Sequence, residues 1–216
     1  MKSLICNTFA FIVFLFPSEL HAVRETYVKS AKESRFFFVM LKSSEGICYQ
    51  VSDKGNISKI WKTQGWYSYP EELFFSNDGE KLVRSLELAA DKISDDAIIF
   101  NIINKGEIVK EITLSQIIDV KKVKIGQMGA SKFACYLMDS DKMGIYGASE
   151  LIQLIGLPSH EPIFSKDLSG TREFFYLRNS EGIHIVFDLI NYEIIYKGKD
   201  HVESEAKLPW EKIGVE

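Results

Sequence analysis

The chain has 216 residues, is 46% hydrophobic and 26% charged, and carries a net charge of −4. That length suits one domain or at most two small ones, and the composition excludes a disordered polymer. The longest basic cluster is the three lysines of "VKKVKIG" (Val120–Gly126), a solvated face rather than the footprint of a nucleic-acid binder.

The first segment, "MKSLICNTFAFIVFLFPSELHA", has one Lys, an apolar run from Leu4 to Phe16, a break at Pro17 and a small residue at Ala22. This is the layout of a secretory signal peptide over residues 1–22, and the run is shorter than the roughly 20 residues that cross a bilayer. The expectation is export to the periplasm or medium, with no stable transmembrane anchor. Export leaves Cys48 and Cys135, which an oxidising compartment could join; two buried thiols are the other reading.

Residues 23–34 read as a polar lead-in, and residues 35–216 as a single β domain. "RFFFVML" (Arg35–Leu41), "ICYQV" and "ISKIWKT" read as three strands of a meander, with Gly55 in the turn "SDKGN". "IWKTQGWYSYPEELFF" (Ile60–Phe75) gathers Trp61, Trp66, Tyr67 and Tyr69 around Gly65 and Pro70. These rings could form a platform for a glycan, a peptide or an envelope protein, or plug the end of a β core. "ELFFSNDGEKLVRS" (Glu72–Ser85) and "DAIIFNIINKGEIVKEI" (Asp96–Ile112) read as hairpins through Asp-Gly and Lys-Gly turns. "KFACYLMDSDKMGIYG" (Lys132–Gly147) reads as another. Helix is scarce: a turn or two at Thr113–Val120, and "SELIQLIGLP" capped by Ser149.

An internal repeat is visible between residues 35–63 and 172–198. Both contain "SEGI", at Ser44–Ile47 and Ser180–Ile183, and later positions match as Asp53 with Asp188, Ile60 with Ile195 and Trp61 with Tyr196. The fold class expected is mainly β: an antiparallel meander of stacked hairpins, propeller-blade-like or sandwich, with one or two short helices. "FFSNDGEKLV" resembles the S-x-D-G-x-x-L hairpin of β-propeller blades in periplasmic translocation proteins. "IHIVFDLINYEIIYKG" is similar to the end of quinoprotein-like blades, with Asn191 where those carry Gly. The resemblance implies a stacked antiparallel architecture and brings no functional residue with it.

Chemistry is thin. Beyond the signal segment the histidines are His160, His184 and His201, none at metal-ligand spacing. "DSDKMGIYGASE" sets Asp139, Asp141, Gly144 and Glu150 at EF-hand positions, but Met143 stands where an oxygen ligand is needed, so an exposed turn is preferred. No nucleophile elbow or phosphate loop is present. No cofactor is expected. The sequence therefore points to a non-enzymatic binding or scaffolding protein of the bacterial cell envelope. Its alternatives are a hydrolase assembled from distant residues such as His160, Glu161 and Asp188, and a module that completes its sheet with another chain.

Overall fold

Side chains alternate across a strand, so runs such as Phe36–Leu41 present two apolar faces, and a left-handed residue in each connection folds neighbouring strands together. The computed structural model describes residues 24–31, 35–69, 73–86, 88–128, 131–135, 143–155, 172–179 and 181–199, with the backbone alone at residues 90, 124–128 and 131–135.

The protein is mainly β, built as antiparallel meanders. The first sheet runs β1 (Tyr27–Ser30), β2 (Phe36–Leu41), β3 (Glu45–Val51), β4 (Ile57–Gln64) in sequence order. The second is β5 (Leu73–Phe75), β6 (Lys81–Ser85), β7 (Ile98–Asn104), β8 (Glu107–Thr113). A single helical turn, α1 (Leu114–Ile117), and a hairpin of β9 (Lys124–Met128) with β10 (Ser131–Cys135) follow. The third sheet is β11 (Gly144–Gly147), β12 (Glu173–Arg178), β13 (Ile183–Asp188), β14 (Glu193–Lys199), with α2 (Ala148–Ile155) between β11 and β12.

The sheets stack face to face, with the second in the middle. Phe38, Met40, Cys48 and Trp61 of the first pack on Leu73, Phe75, Leu82 and Ile103 of the second. Its opposite face, with Val83, Phe100 and Ile102, packs on Phe175, Leu177, Ile185 and Phe187 of the third. The alternate residues of the third sheet, Phe174, Tyr176 and Val186, are covered by Leu151 and Ile155 of α2. The first strand of the middle sheet, β5, lies beside both β1 and β11.

Each sheet loses register between its third and fourth strands. The breaks fall at Cys48/Tyr49, Ile102/Ile103 and Val186/Phe187, with a second in the middle sheet at Ile98/Phe100, and they leave Ile60, Val109 and Ile195 as bulged residues of the fourth strands. A bulge sharpens the twist of an outer strand. The fourth-strand match of Ile60 with Ile195 therefore has a structural counterpart. The "SEGI" match does not superpose: Ser44 is left-handed (φ 65°) and Gly46 lies inside β3, whereas Gly182 itself is left-handed (φ 73°). The same turn-forming residue types serve two different turns.

Three expectations change. The lead-in of residues 23–34 contributes β1, paired Val28 with Val39, too short an alternation to stand out alone. The expected hairpin over Lys132–Gly147 is divided: β10 pairs with β9 and β11 with β12. Helix α2 begins at Ala148, so Ser149 is inside it, and the Glu150 carboxylate accepts the Gly147 N–H (3.2 Å). Elsewhere the expected hairpins stand. The β7–β8 turn is left-handed at both Lys105 and Gly106, as a tight two-residue hairpin demands.

The β5–β6 turn sets the sharpest steric limit. Gly79 has φ +72°, and a Cβ there would lie 2.3 Å from Cδ1 of Phe36. Gly55 has a similar φ (+77°) with nothing near. Gly79→Ala is expected to cost about 3 kcal/mol in denaturant unfolding and Gly55→Ala about 1 kcal/mol, because only the first adds a clash to the left-handed penalty. Equal losses would contradict this packing.

Candidate functional site

The aromatic loop after β4 is mostly turned inward. Trp61 is only 7% exposed, stacks against Phe38, and donates its indole N–H to the Gly79 carbonyl (2.8 Å). Trp66 is half-buried; it donates to Thr63 Oγ1 (3.0 Å), and the Arg84 guanidinium sits 4.8 Å over its ring. The Tyr67 hydroxyl accepts from the Glu25 N–H and donates to the Glu25 carbonyl (3.0 and 2.8 Å), pinning the chain ahead of β1. Tyr69 meets Tyr67 edge to face. Of the four rings, Trp61 belongs to the core. The other three are half-buried: Tyr67 fastens β1 through Glu25 and Tyr27, Trp66 is held by Thr63 and Arg84, and Tyr69 rests on Tyr67.

The β5–β6 turn, Ser76–Lys81, joins all three sheets. The Ser76 hydroxyl donates to Asp78 (2.5 Å) and accepts the Lys81 N–H, while Asp78 also takes the Glu80 N–H and the Lys81 ammonium. Burial opposes the Asp78 charge, but these donors outweigh it and hold the carboxyl below its usual pKa. Besides Trp61, the Gly79 carbonyl faces the Cys48 thiol (3.4 Å). Burial, and then the Asp78 charge, push that thiol up to about 12, so it is an inert packing group. Cys48 is free; the Cys135 side chain lies outside the described residues. From the third sheet, the Glu173 carboxylate accepts the Asn77 N–H (3.0 Å to each oxygen). Burial, followed by the neighbouring Asp78, raises the Glu173 pKa.

Asp188 is fully buried. It pairs with Arg172 and accepts from the Ile190 N–H and the Asn191 amide. Burial opposes its charge, and Arg172 with those donors overcomes it, so its pKa is lowered. In the first sheet Arg35 pairs with Asp53 in the corresponding place, between the lead into the second strand and the β3–β4 turn, but on the surface. His184 is buried with Nδ1 2.8 Å from the Tyr176 hydroxyl. His160, Glu161, Asp139 and Asp141 lie outside the described residues. Among the described residues no group of three or more His, Cys, Asp or Glu could hold a metal, and no helix is long and apolar enough to cross a membrane.

Two surface features remain. An open cleft of about 190 Å³ lies between the second and third sheets, lined by Lys110, Gln116, Phe187, Tyr192, Glu193 and Ile194. It is smaller than the ~300–1,000 Å³ of a small-molecule pocket. The second is the outward face of the first sheet. Register places Val28, Val39 and Ile47 in one row, Phe37 and Tyr49 in the next, and Val51 with Ile57 beyond. Phe37 and Tyr49 stack at 5.2 Å, and Val28 and Ile57 are each 62% exposed. None of these seven residues belongs to a core cluster. The unbroken apolar run of β2 was the sequence signal for this face, since both alternating sets are hydrophobic.

No protein-family model matches the chain, and no curated protein matches it.

Buried Asp188 and half-buried Glu173 respond oppositely to pH. Glu173 has a raised folded pKa, so its ionisation costs stability as pH rises from the ordinary carboxyl value through the raised one. Glu173→Gln is expected to match or exceed the parent Tm at neutral pH and to lose that advantage below about pH 4. Asp188 has a depressed pKa, so its contribution is present above the ordinary value and vanishes as pH falls through the folded one. Asp188→Asn is expected to lose about 3 kcal/mol at neutral pH, since it removes the buried charge that pairs with the partly buried Arg172 and holds the β13–β14 turn. Thermal melts across pH would contradict this if Glu173→Gln were the more damaging at pH 7.

Proposed function

We propose that this chain is a non-enzymatic binding or scaffolding protein of the bacterial cell envelope, exported by residues 1–22, whose contact surface is the outward face of the first sheet. The observation that carries it is the contiguous apolar patch of Val28, Val39, Ile47, Phe37, Tyr49, Val51 and Ile57 on one sheet face, with Val28 and Ile57 exposed and the other five half-buried. Exposed apolar patches of this kind mark protein–protein surfaces. A partner presenting a flat apolar sheet face suits it better than a sugar, which needs polar groups set among its aromatic platforms.

The proposal moves the contact surface away from Trp66, Tyr67 and Tyr69, which are half-buried and engaged with Thr63 and Arg84, with β1, and with Tyr67 respectively. It also favours binding over the hydrolase reading, because Asp188 is committed to Arg172 and the β13–β14 turn. The stacked meanders, each bulged at its fourth strand, support kinship with propeller-like repeats, of which a closed ring has about four to eight.

Two measurements test it. A photo-reactive residue at Tyr49 is expected to yield a discrete protein adduct in the envelope fraction of producing cells, and one at exposed Lys92 none. Adducts at neither position, or equally at both, would overturn the contact surface. N-terminal sequencing of the mature protein is expected to begin at Val23; an unprocessed cytoplasmic chain would remove the envelope assignment.

A further inference from the structure

We propose that the occupant of this face is a second copy of the chain: two first sheets stack outward face to outward face about a two-fold axis parallel to their strands. A dimer of this kind presupposes the binding role proposed above.

The stack is finished differently at its two ends. At the third sheet, α2 covers Phe174, Tyr176 and Val186 with Leu151 and Ile155. At the first sheet, no described element covers the equivalent apolar set. Sheet-on-sheet packing already occurs twice within the chain, between the first and second sheets and between the second and third. A two-fold partner repeats that packing once more and gives a six-sheet stack with an α2 at each end. A closed isologous contact of this type also stops at two copies.

Charge selects the orientation. On the outward face Arg35 is paired with Asp53, and the remaining cations on the strands are Lys59 and Lys62, both on β4, opposite Tyr49 and Ile47. A two-fold axis along the strands sets β4 of each copy over β1 of the other, where Val28 and Ser30 face outward. Lysine therefore meets no lysine, whereas an axis across the strands would place β4 on β4 and incur like-charge repulsion. Edge-to-edge pairing is disfavoured by the fourth strands themselves. β4, β8 and β14 each carry a bulge, and their lysines (Lys59, Lys62, Lys110, Lys197, Lys199) blunt the edges.

Size sets the strength. Four strands about 4.8 Å apart and about six residues long make a face of roughly 400 Å² in projection. Two such faces make about 800 Å², below the roughly 1,200–2,000 Å² of standard stable interfaces and in the range of weak, transient ones. The dimer is therefore reversible, with a Kd on the order of micromolar.

Sedimentation of the mature chain from about 1 to 200 μM, spanning that Kd, tests this. The parent is expected to pass from the monomer mass to twice it. The double variant Val28→Lys/Ile57→Lys is expected to stay monomeric with an unchanged circular dichroism spectrum, both sites being largely exposed already. The Tyr49 photo-adduct is expected to have the mass of two chains, with its cross-linked peptide from β2 or β3. A parent that is monomeric throughout, or a dimer that survives the double variant, overturns the proposal. A monomeric parent whose Tyr49 probe captures a different protein removes the second copy and leaves the binding role standing. No adduct at all removes both.

Discussion

The carbonyl of Gly79 is the point through which the first sheet is held to the second. It receives the Trp61 indole from β4 and faces the Cys48 thiol from β3, so two strands are read by one peptide group. That carbonyl is presented only because residue 79 is left-handed and lacks a Cβ that would strike Phe36. The same turn gives its Asn77 N–H to Glu173 of the third sheet, and its Glu80 carbonyl receives the Lys105 N–H of the β7–β8 turn. Each hydrogen bond is worth only about 1 kcal/mol net. Their importance is positional: they fix how three amphipathic sheets meet, and hydrophobic burial supplies the stability once that is settled.

The carboxylates at the connections of the stack follow one pattern. Asp78, Asp188 and Glu173 each sit where a turn has backbone N–H groups to satisfy, and each takes them up with a carboxylate. Asp78 and Asp188 also have a cation at hand, in Lys81 and Arg172, which keeps them charged. Among the described residues Glu173 forms no ion pair, and burial followed by the neighbouring Asp78 raises its pKa, so it is the group under electrostatic strain. These carboxylates are engaged in holding connections. The outward face of the first sheet is not so engaged, and the proposed contact surface therefore lies on a sheet face rather than in a cleft.

Much of the fold was legible. Asp-Gly, Lys-Gly and Gly55 turns between apolar runs identified the hairpins because left-handed φ restricts residue choice severely. The scarcity of helix was legible for the same reason. Residues such as Tyr27 and Val28 were not legible as a strand, because four residues of alternation acquire meaning only from the neighbour that pairs with them. The "SEGI" coincidence misled by residue type: Ser, Glu and Gly suit a three-residue and a four-residue connection alike, and only backbone angles distinguish Gly46 from Gly182. Trp61 and Trp66 illustrate a further limit. An aromatic cluster signals buried area, but sequence cannot say whether a ring faces a partner or its own core. The bulges at Ile60, Val109 and Ile195, common to all three sheets, leave no local signature because a bulge is a relation between two strands.

Native-state hydrogen exchange at the β5–β6 turn bears most directly on whether this connection organises the stack. The account predicts that the amides of Asn77, Lys81 and Lys105 exchange only through global unfolding, with protection equal to that of Phe100 in β7 and Val186 in β13. Exchange of those three amides at the rate of an ordinary surface loop, with the strands still protected, would contradict it.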